Sequence, residues 1–132
     1  MKKSALIVFE GLDGCGKTTQ VKRLVDYINY AHNIPSKELA NVSDGIIGKA
    51  IRTIIGDAKL YAGRLQSACL FIAEMFHISK SIKPEYDLGT VFVCSRHYYS
   101  TLVYGTTSFK QVAAVKEICS ELPIAPDMVV YL

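Results

Sequence analysis

No stretch of this 132-residue chain approaches the ~18 consecutive apolar residues that a membrane-spanning helix requires. Met1-Lys2-Lys3-Ser4 sets two lysines ahead of an apolar run, as a signal peptide does. That run breaks at Glu10 after five residues, so it reads as a strand. Charge of one sign is also scarce. Fifteen Lys and Arg against twelve Asp and Glu leave a net charge of +3, too small a surplus to argue for nucleic acid or a membrane surface as a partner. The four cysteines at 15, 69, 94 and 119 include no C-x-x-C pair, which excludes a zinc ribbon or a disulfide frame. Cys69, Cys94 and Cys119 stand in apolar company and are expected as small core residues in a reducing, cytoplasmic setting. No His/Cys/Asp cluster has metal-ligand spacing, no nucleophile triad can be assembled, and no N-K-x-D motif is present to read guanine. There is no repeat, low-complexity tract or linker. Residues 1–132 read as one domain, and their 50% hydrophobic content supports a substantial core.

What the chain does have is Gly11-Leu12-Asp13-Gly14-Cys15-Gly16-Lys17-Thr18-Thr19, a match to the G-x-x-x-x-G-K-S/T phosphate loop. The short β-forming run Ala5 to Phe9 precedes it, and an amphipathic helix follows, with Val21, Leu24, Val25 and Ile28 on one face to about Ala31. The glycines let the backbone curl so that its N–H groups, together with the helix N-terminus, face a phosphate chain. Lys17 is placed to reach the β- and γ-phosphates, and the Thr18 hydroxyl to ligate Mg²⁺. Cys15 beside a helix N-terminus is either a redox-sensitive thiol or simply a small residue that fits the loop.

Beyond the loop, Asn33 and Pro35 stop the first helix, and His32 near its end is expected to face solvent. A weak strand is expected over 37–42, a turn at 43–45, and a short helix from Ile46 to Gly56 with Ile47, Ile51, Ile54 and Ile55 on one side. A long helix from Arg64 to Ile82 is expected to bury Leu65, Cys69, Ile72 and Phe76 and to stop at Pro84. Thr90 to Cys94 is an uninterrupted apolar run, the pattern of a strand covered on both faces. Tyr98–Tyr104 and Ser108–Leu122 read as helices, the second turning Val112, Val115, Ile118 and Cys119 inward, and Met128–Leu132 as a last strand. Strands alternating with helices imply a three-layer α/β fold, about four parallel strands flanked by helices. Ligands then bind beyond the strands' carboxyl ends, where the phosphate loop and Ser95-Arg96-His97 face one crevice.

Four segments together resemble the thymidylate kinase family of P-loop nucleoside monophosphate kinases: Phe9 to Gln20, Cys69-Leu70-Phe71-Ile72-Ala73 (similar to L-L-F-x-A), Ser95 to Tyr104 (similar to D-R-Y/H…S…Y/F) and Pro126 to Leu132 (similar to P-D-x-x-x-Y-L). They occur in the family's order across the whole chain. The resemblance implies ATP- and Mg²⁺-dependent phosphoryl transfer to a deoxynucleoside monophosphate, most simply dTMP to dTDP. It implies small-molecule nucleotides as the partners, and a homodimer. Carried over by position, Gly11, Asp13, Gly14, Cys15, Gly16, Lys17, Thr18 and Thr19 would hold the ATP phosphates. Lys17 and Arg96 would be the catalytic cations. Asp13 would contact the acceptor sugar's 3′-hydroxyl, and Phe71 would stack on its base unless it is plain core. Arg96 would hold the acceptor phosphate, with Ser100 and Tyr104 beside it.

The chain departs from that pattern in four places. Ser95 replaces the aspartate before the arginine and can reach Mg²⁺ only through a water. Met75 replaces an arginine four residues after Phe71. Leu39 to Gly45 contains neither the arginine nor the proline of the T-R-E-P loop. The sequence stops at the fourth strand, where the family continues into an arginine-bearing lid and a fifth strand. Gly14 stands where some members carry a catalytic arginine, and members with glycine there take that arginine from the lid. The 132 residues are therefore expected to be a divergent or partial kinase domain, with a nucleotide-binding module that has lost catalysis as the alternative. His77 is expected on the helix surface or at the Phe71 pocket, and His97 as structural support.

Overall fold

A computed structural model describes residues 4–132; the lysines at 2 and 3 lie outside the described residues. Its centre is a four-stranded, wholly parallel sheet in the order β2-β3-β1-β4. β1 (Ala5–Glu10) and β3 (Val91–Ser95) occupy the middle, with β2 (Ser36–Leu39) and β4 (Met128–Tyr131) at the edges. The central pair is apolar on both faces because helices cover both. Phe9, Val91 and Val93 pack on one side against Val21, Val25 and Ile28 of α1 (Lys17–His32). Leu6, Val8, Phe92 and Cys94 form the other face with Ile124. Each central strand thus lacks the polar alternation of a one-sided strand.

The remaining elements are α2 (Ile46–Gly56), α3 (Arg64–Asp87), α4 (Tyr98–Tyr104) and α5 (Phe109–Ser120). Asn33, in the left-handed region at φ 52, closes α1 through its N–H to Ile28 O, and His32 is exposed. Ser108 caps α5 by accepting from Gln111 N.

Four expectations are corrected. Pro84 lies inside α3, not at its stop. The turn beyond it is held by tertiary contacts, since Ile82 and Tyr86 pack on the Leu6–Phe92 cluster and Tyr86 Oη donates to Asp127 at 3.0 Å. That packing outweighs the single backbone bond a proline removes. Second, α3 buries Ala68, Ile72, Met75 and Ile78, while Leu65 and Cys69 are exposed and Phe76 is half-buried. The helix touches two partners, α5 through Ile72 and Met75 and the sheet face through Ile82 and Tyr86, so one 3.6-residue stripe could not describe it. Third, Ile118 of α5 is exposed and Val112 half-buried; Val115 and Cys119 alone carry that helix's buried face. Fourth, β2 is shorter than expected, ending at Leu39, and residues 40–45 form an irregular connection to α2.

Candidate functional site

β1 and β3 end side by side, and each delivers one half of the site. After Glu10 the chain enters the loop, where Gly14 and Gly16 take φ values of 79° and 91° that side chains with a Cβ rarely adopt. The Lys17 ammonium is buried and donates to the carbonyl oxygens of Gly11, at 3.0 Å, and Leu12; Cys15 Sγ lies 3.6 Å away. After β3, Arg96 continues the pairing, its N–H donating to Phe9 O at 2.8 Å, while its own φ is 69°. A non-glycine residue in that region is strained, and such strain concentrates where geometry matters more than stability. Here it aims the guanidinium back across the loop. Nη2 meets Asp13 Oδ1 at 2.6 Å, Nη1 donates to Ser100 Oγ at 2.9 Å, and the group lies 5.5 Å from the Tyr104 ring centre. Burial opposes the Arg96 charge, but the Asp13 and Tyr104 partners outweigh it and raise the pKa.

Glu10 holds this arrangement from beneath. It is buried at the end of β1, accepting from His97 N at 2.8 Å and from Ser100 Oγ at 2.7 Å. His97 is buried with Nδ1 lacking a hydrogen-bond partner, and burial pushes its pKa down to about 4, so the ring is neutral near pH 7. Burial, with a smaller contribution from Glu10, pushes the Cys94 thiol up to about 12. Burial and the bond to Tyr99 push Tyr98 to about 12 as well.

Arg96 lines several cavities, and two of them gather the motif residues. The first, about 370 Å³, lies between Asp13, Gly14, Gly16, Lys17, Thr18 and Thr19 on the loop side and Ser95 and Arg96 on the other. The second, about 510 Å³, is lined by Asp13, Arg96, His97, Ser100 and Tyr104 together with Phe71, Ser67, Ile55 and Tyr61. Asp13 and Arg96 belong to both.

A family model described as thymidylate kinase matches residues 9–132. The chain belongs to the thymidylate kinase family. A thymidylate kinase from Desulfotalea psychrophila is 33% identical over 123 residues, covering 92% of this chain and 58% of that protein. A protein of Methanococcus maripaludis strain S2 named "Probable thymidylate kinase" is 39% identical over 128 residues, covering 96% and 58%. The thymidylate kinase structure from Ehrlichia chaffeensis superposes with a TM-score of 0.79 at 26% identity, covering 98% of this chain and 71% of that one. The chain spans about three fifths of the length of the curated relatives it matches.

Within this thymidylate kinase fold, all but two of the residues singled out by motif lie around the two cavities. Asp13, Gly14, Gly16, Lys17, Thr18, Thr19, Ser95 and Arg96 surround the first; Phe71, Ser100 and Tyr104 join Asp13 and Arg96 around the second. Gly11 and Cys15 do not line the first cavity. Gly11 is buried at the loop's root against Leu132, and Cys15 is exposed. His77 is exposed on α3 beside Gly45 and lines neither cavity. Glu10 was given no role because, as the residue ending an apolar strand, it looked like a boundary marker; its signals were its place directly before the glycine loop and within the Phe9–Gln20 segment. Asn41, which lines the second cavity, went unread for lack of any motif. Thr18 and Ser95 line one cavity, and their hydroxyls are hard oxygens of the kind Mg²⁺ takes beside nucleotide phosphates, Thr18 as a ligand and Ser95 through a water. Among the described residues no cluster of three or more His, Cys, Asp or Glu forms a self-sufficient metal cage, and no helix is long and apolar enough to cross a membrane.

Proposed function

We propose that this chain carries the donor and acceptor sites of an ATP-dependent nucleoside monophosphate kinase, with dTMP as the acceptor and dTDP as the product. The observation that carries the reading is that the loop cavity and the larger cavity share Asp13 and Arg96. Phosphoryl transfer is mostly positioning and charge neutralisation, so it needs one cation between the two phosphates. Arg96 keeps donors to spare beyond those engaged with Asp13 and Ser100, enough for a bidentate grip on a phosphate. Lys17 would exchange the loop carbonyls for the β- and γ-phosphates. Thr18, and Ser95 through a water, would hold Mg²⁺, which when bound neutralises charge on the transferring phosphoryl group. Asp13 would orient the acceptor sugar, and Phe71 would face its base. From the family resemblance we also read the protein as cytoplasmic and homodimeric.

The test is calorimetric titration of dTMP, dUMP, dCMP and dGMP, with ADP release followed in the presence of ATP and Mg²⁺. Binding of dTMP together with dTDP formation supports the reading. Failure of all four to bind ends it. Binding without turnover would instead mark a nucleotide-binding module, the reading that Ser95 and Met75 motivate.

A further inference from the structure

The irregular connection between β2 and α2 carries no family motif, yet α3 and α2 both hold it by hydrogen bonds beside the larger cavity. Glu74 of α3 is fully buried, and its Oε1 accepts from Ser43 N at 2.7 Å. From the opposite side Arg52 of α2 donates to Ser43 O at 2.8 Å and to Val42 O at 3.4 Å, and it pairs with Asp44 at 3.0 Å. Gly48 closes the fold of the loop: a Cβ there would stand 2.0 Å from Ser43 O. Arg52 and Gly48 already define the turn's shape. Glu74 adds an inner tether at a cost in stability, because its Oε2 is buried without a hydrogen-bond partner.

What it positions is given by the strand register. Leu39 pairs with Cys94, and two residues further along each chain stand Asn41 and Arg96, both past the strand ends. Both line the larger cavity and also a small one of about 20 Å³ beside it, next to His97. Phe71, one helical turn before Glu74, lines the larger cavity as well. Glu74 therefore ties the segment bearing Asn41 to the helix bearing Phe71.

We propose that Asn41 is an acceptor-contacting residue, donating its side-chain amide to the phosphate end of the acceptor nucleotide beside Arg96, and that Glu74 is the positioning residue that holds it there. The assignment rests on the kinase reading above. A neutral amide is suited to this place, because it adds a donor to a dianionic phosphate without adding a charge to the Arg96–Asp13 pair. A carboxylate in its place would face that phosphate with like charge.

The test compares dTMP with thymidine, which lacks the phosphate, by calorimetric titration of the full chain, with a non-hydrolysable ATP analogue as control. Asn41→Asp should weaken dTMP by about tenfold or more and leave thymidine within about twofold. Asn41→Ala should weaken dTMP by about three- to tenfold. Glu74→Gln keeps an acceptor for Ser43 N and should bind dTMP within about threefold of the parent. Glu74→Ala should lose dTMP affinity and leave the ATP analogue unaffected. Combined with Asn41→Ala, it should add no further loss, since it acts through the same contact. An Asn41→Asp chain that binds dTMP as tightly as the parent overturns the proposal, as does one that loses dTMP and thymidine equally. If Glu74→Ala fails to fold, a Glu74→Gln chain that loses dTMP as far as Asn41→Ala does overturns the positioning role by itself, since it still offers Ser43 N an acceptor. A parent chain that binds ATP analogue but neither dTMP nor thymidine refutes the kinase reading, and this assignment with it.

Discussion

Arg96 Nη2 and Asp13 Oδ1, 83 positions apart in the chain, meet at 2.6 Å across the mouths of two cavities. The arginine is mostly buried in this contact, whereas the carboxylate is almost fully exposed. The pair therefore stabilises the fold weakly, by under about 1 kcal/mol, and is better regarded as a holding position for the guanidinium. Arg96→Lys should shift the melting temperature little. It should weaken dTMP binding by tenfold or more, because an ammonium cannot hold Asp13 and Ser100 and also fork onto a phosphate. Titration alongside thermal unfolding separates the two effects.

Lys17 rests on the loop's own carbonyl oxygens. Lys17→Ala removes both a buried charge and its partners' ligand, so its stability change should be modest, within about 2 kcal/mol. Binding of a fluorescent ATP analogue should nevertheless be lost. Retained analogue binding would detach the loop from the phosphate chain.

Glu10 is the buried acceptor for both His97 N and Ser100 Oγ. Glu10→Ala strands those two donors, and urea unfolding should show a loss of roughly 2–4 kcal/mol. Glu10→Gln, which retains one acceptor oxygen, should lose less. Both should weaken dTMP more than the ATP analogue, since Ser100 also receives the Arg96 donor.

Burial lowers the His97 pKa from 6.5 to about 4. As pH falls, the unfolded chain binds this proton first, so the contribution is whole above about pH 6.5 and is lost between there and about pH 4. It amounts to up to roughly 3 kcal/mol. His97→Gln should flatten the stability–pH curve in that window, as read from urea midpoints at pH 7, 5.5 and 4.5.

Cys15 and Cys69 are exposed, and Cys94 and Cys119 are buried with raised thiol pKa values. A thiol reagent followed by peptide mapping should modify the first two rapidly and the others only on unfolding. ATP with Mg²⁺ should protect Cys15, whose Sγ lies 3.6 Å from the Lys17 ammonium, and leave Cys69 unchanged.

The element order and the site's loop half were legible because local rules govern them. A two-sided strand such as Val91–Cys94 has no polar alternation, and a glycine loop before Lys17 has a fixed spacing. The face of α3 was not legible, because a helix packed on two partners satisfies no single stripe, and Cys69 was drawn inward by its apolar neighbours in sequence. Pro84 misled for the same reason: its local preference lost to Tyr86 and Ile82 packing a turn later. On the acceptor side, Arg96, Ser100 and Tyr104 came from motif resemblance. Glu10 and Glu74 act through long-range hydrogen bonds, and Asn41 is placed by the strand register, none of which a pattern of spacing encodes.

The buried anchor of the acceptor side, Glu10, and the first glycine of the donor loop, Gly11, are neighbours in the chain. Whatever displaces the end of β1 must carry both half-sites with it. On the kinase reading, the gap between two approaching phosphates would thus be gauged by one peptide unit, so that neither half of the pocket drifts without the other registering it.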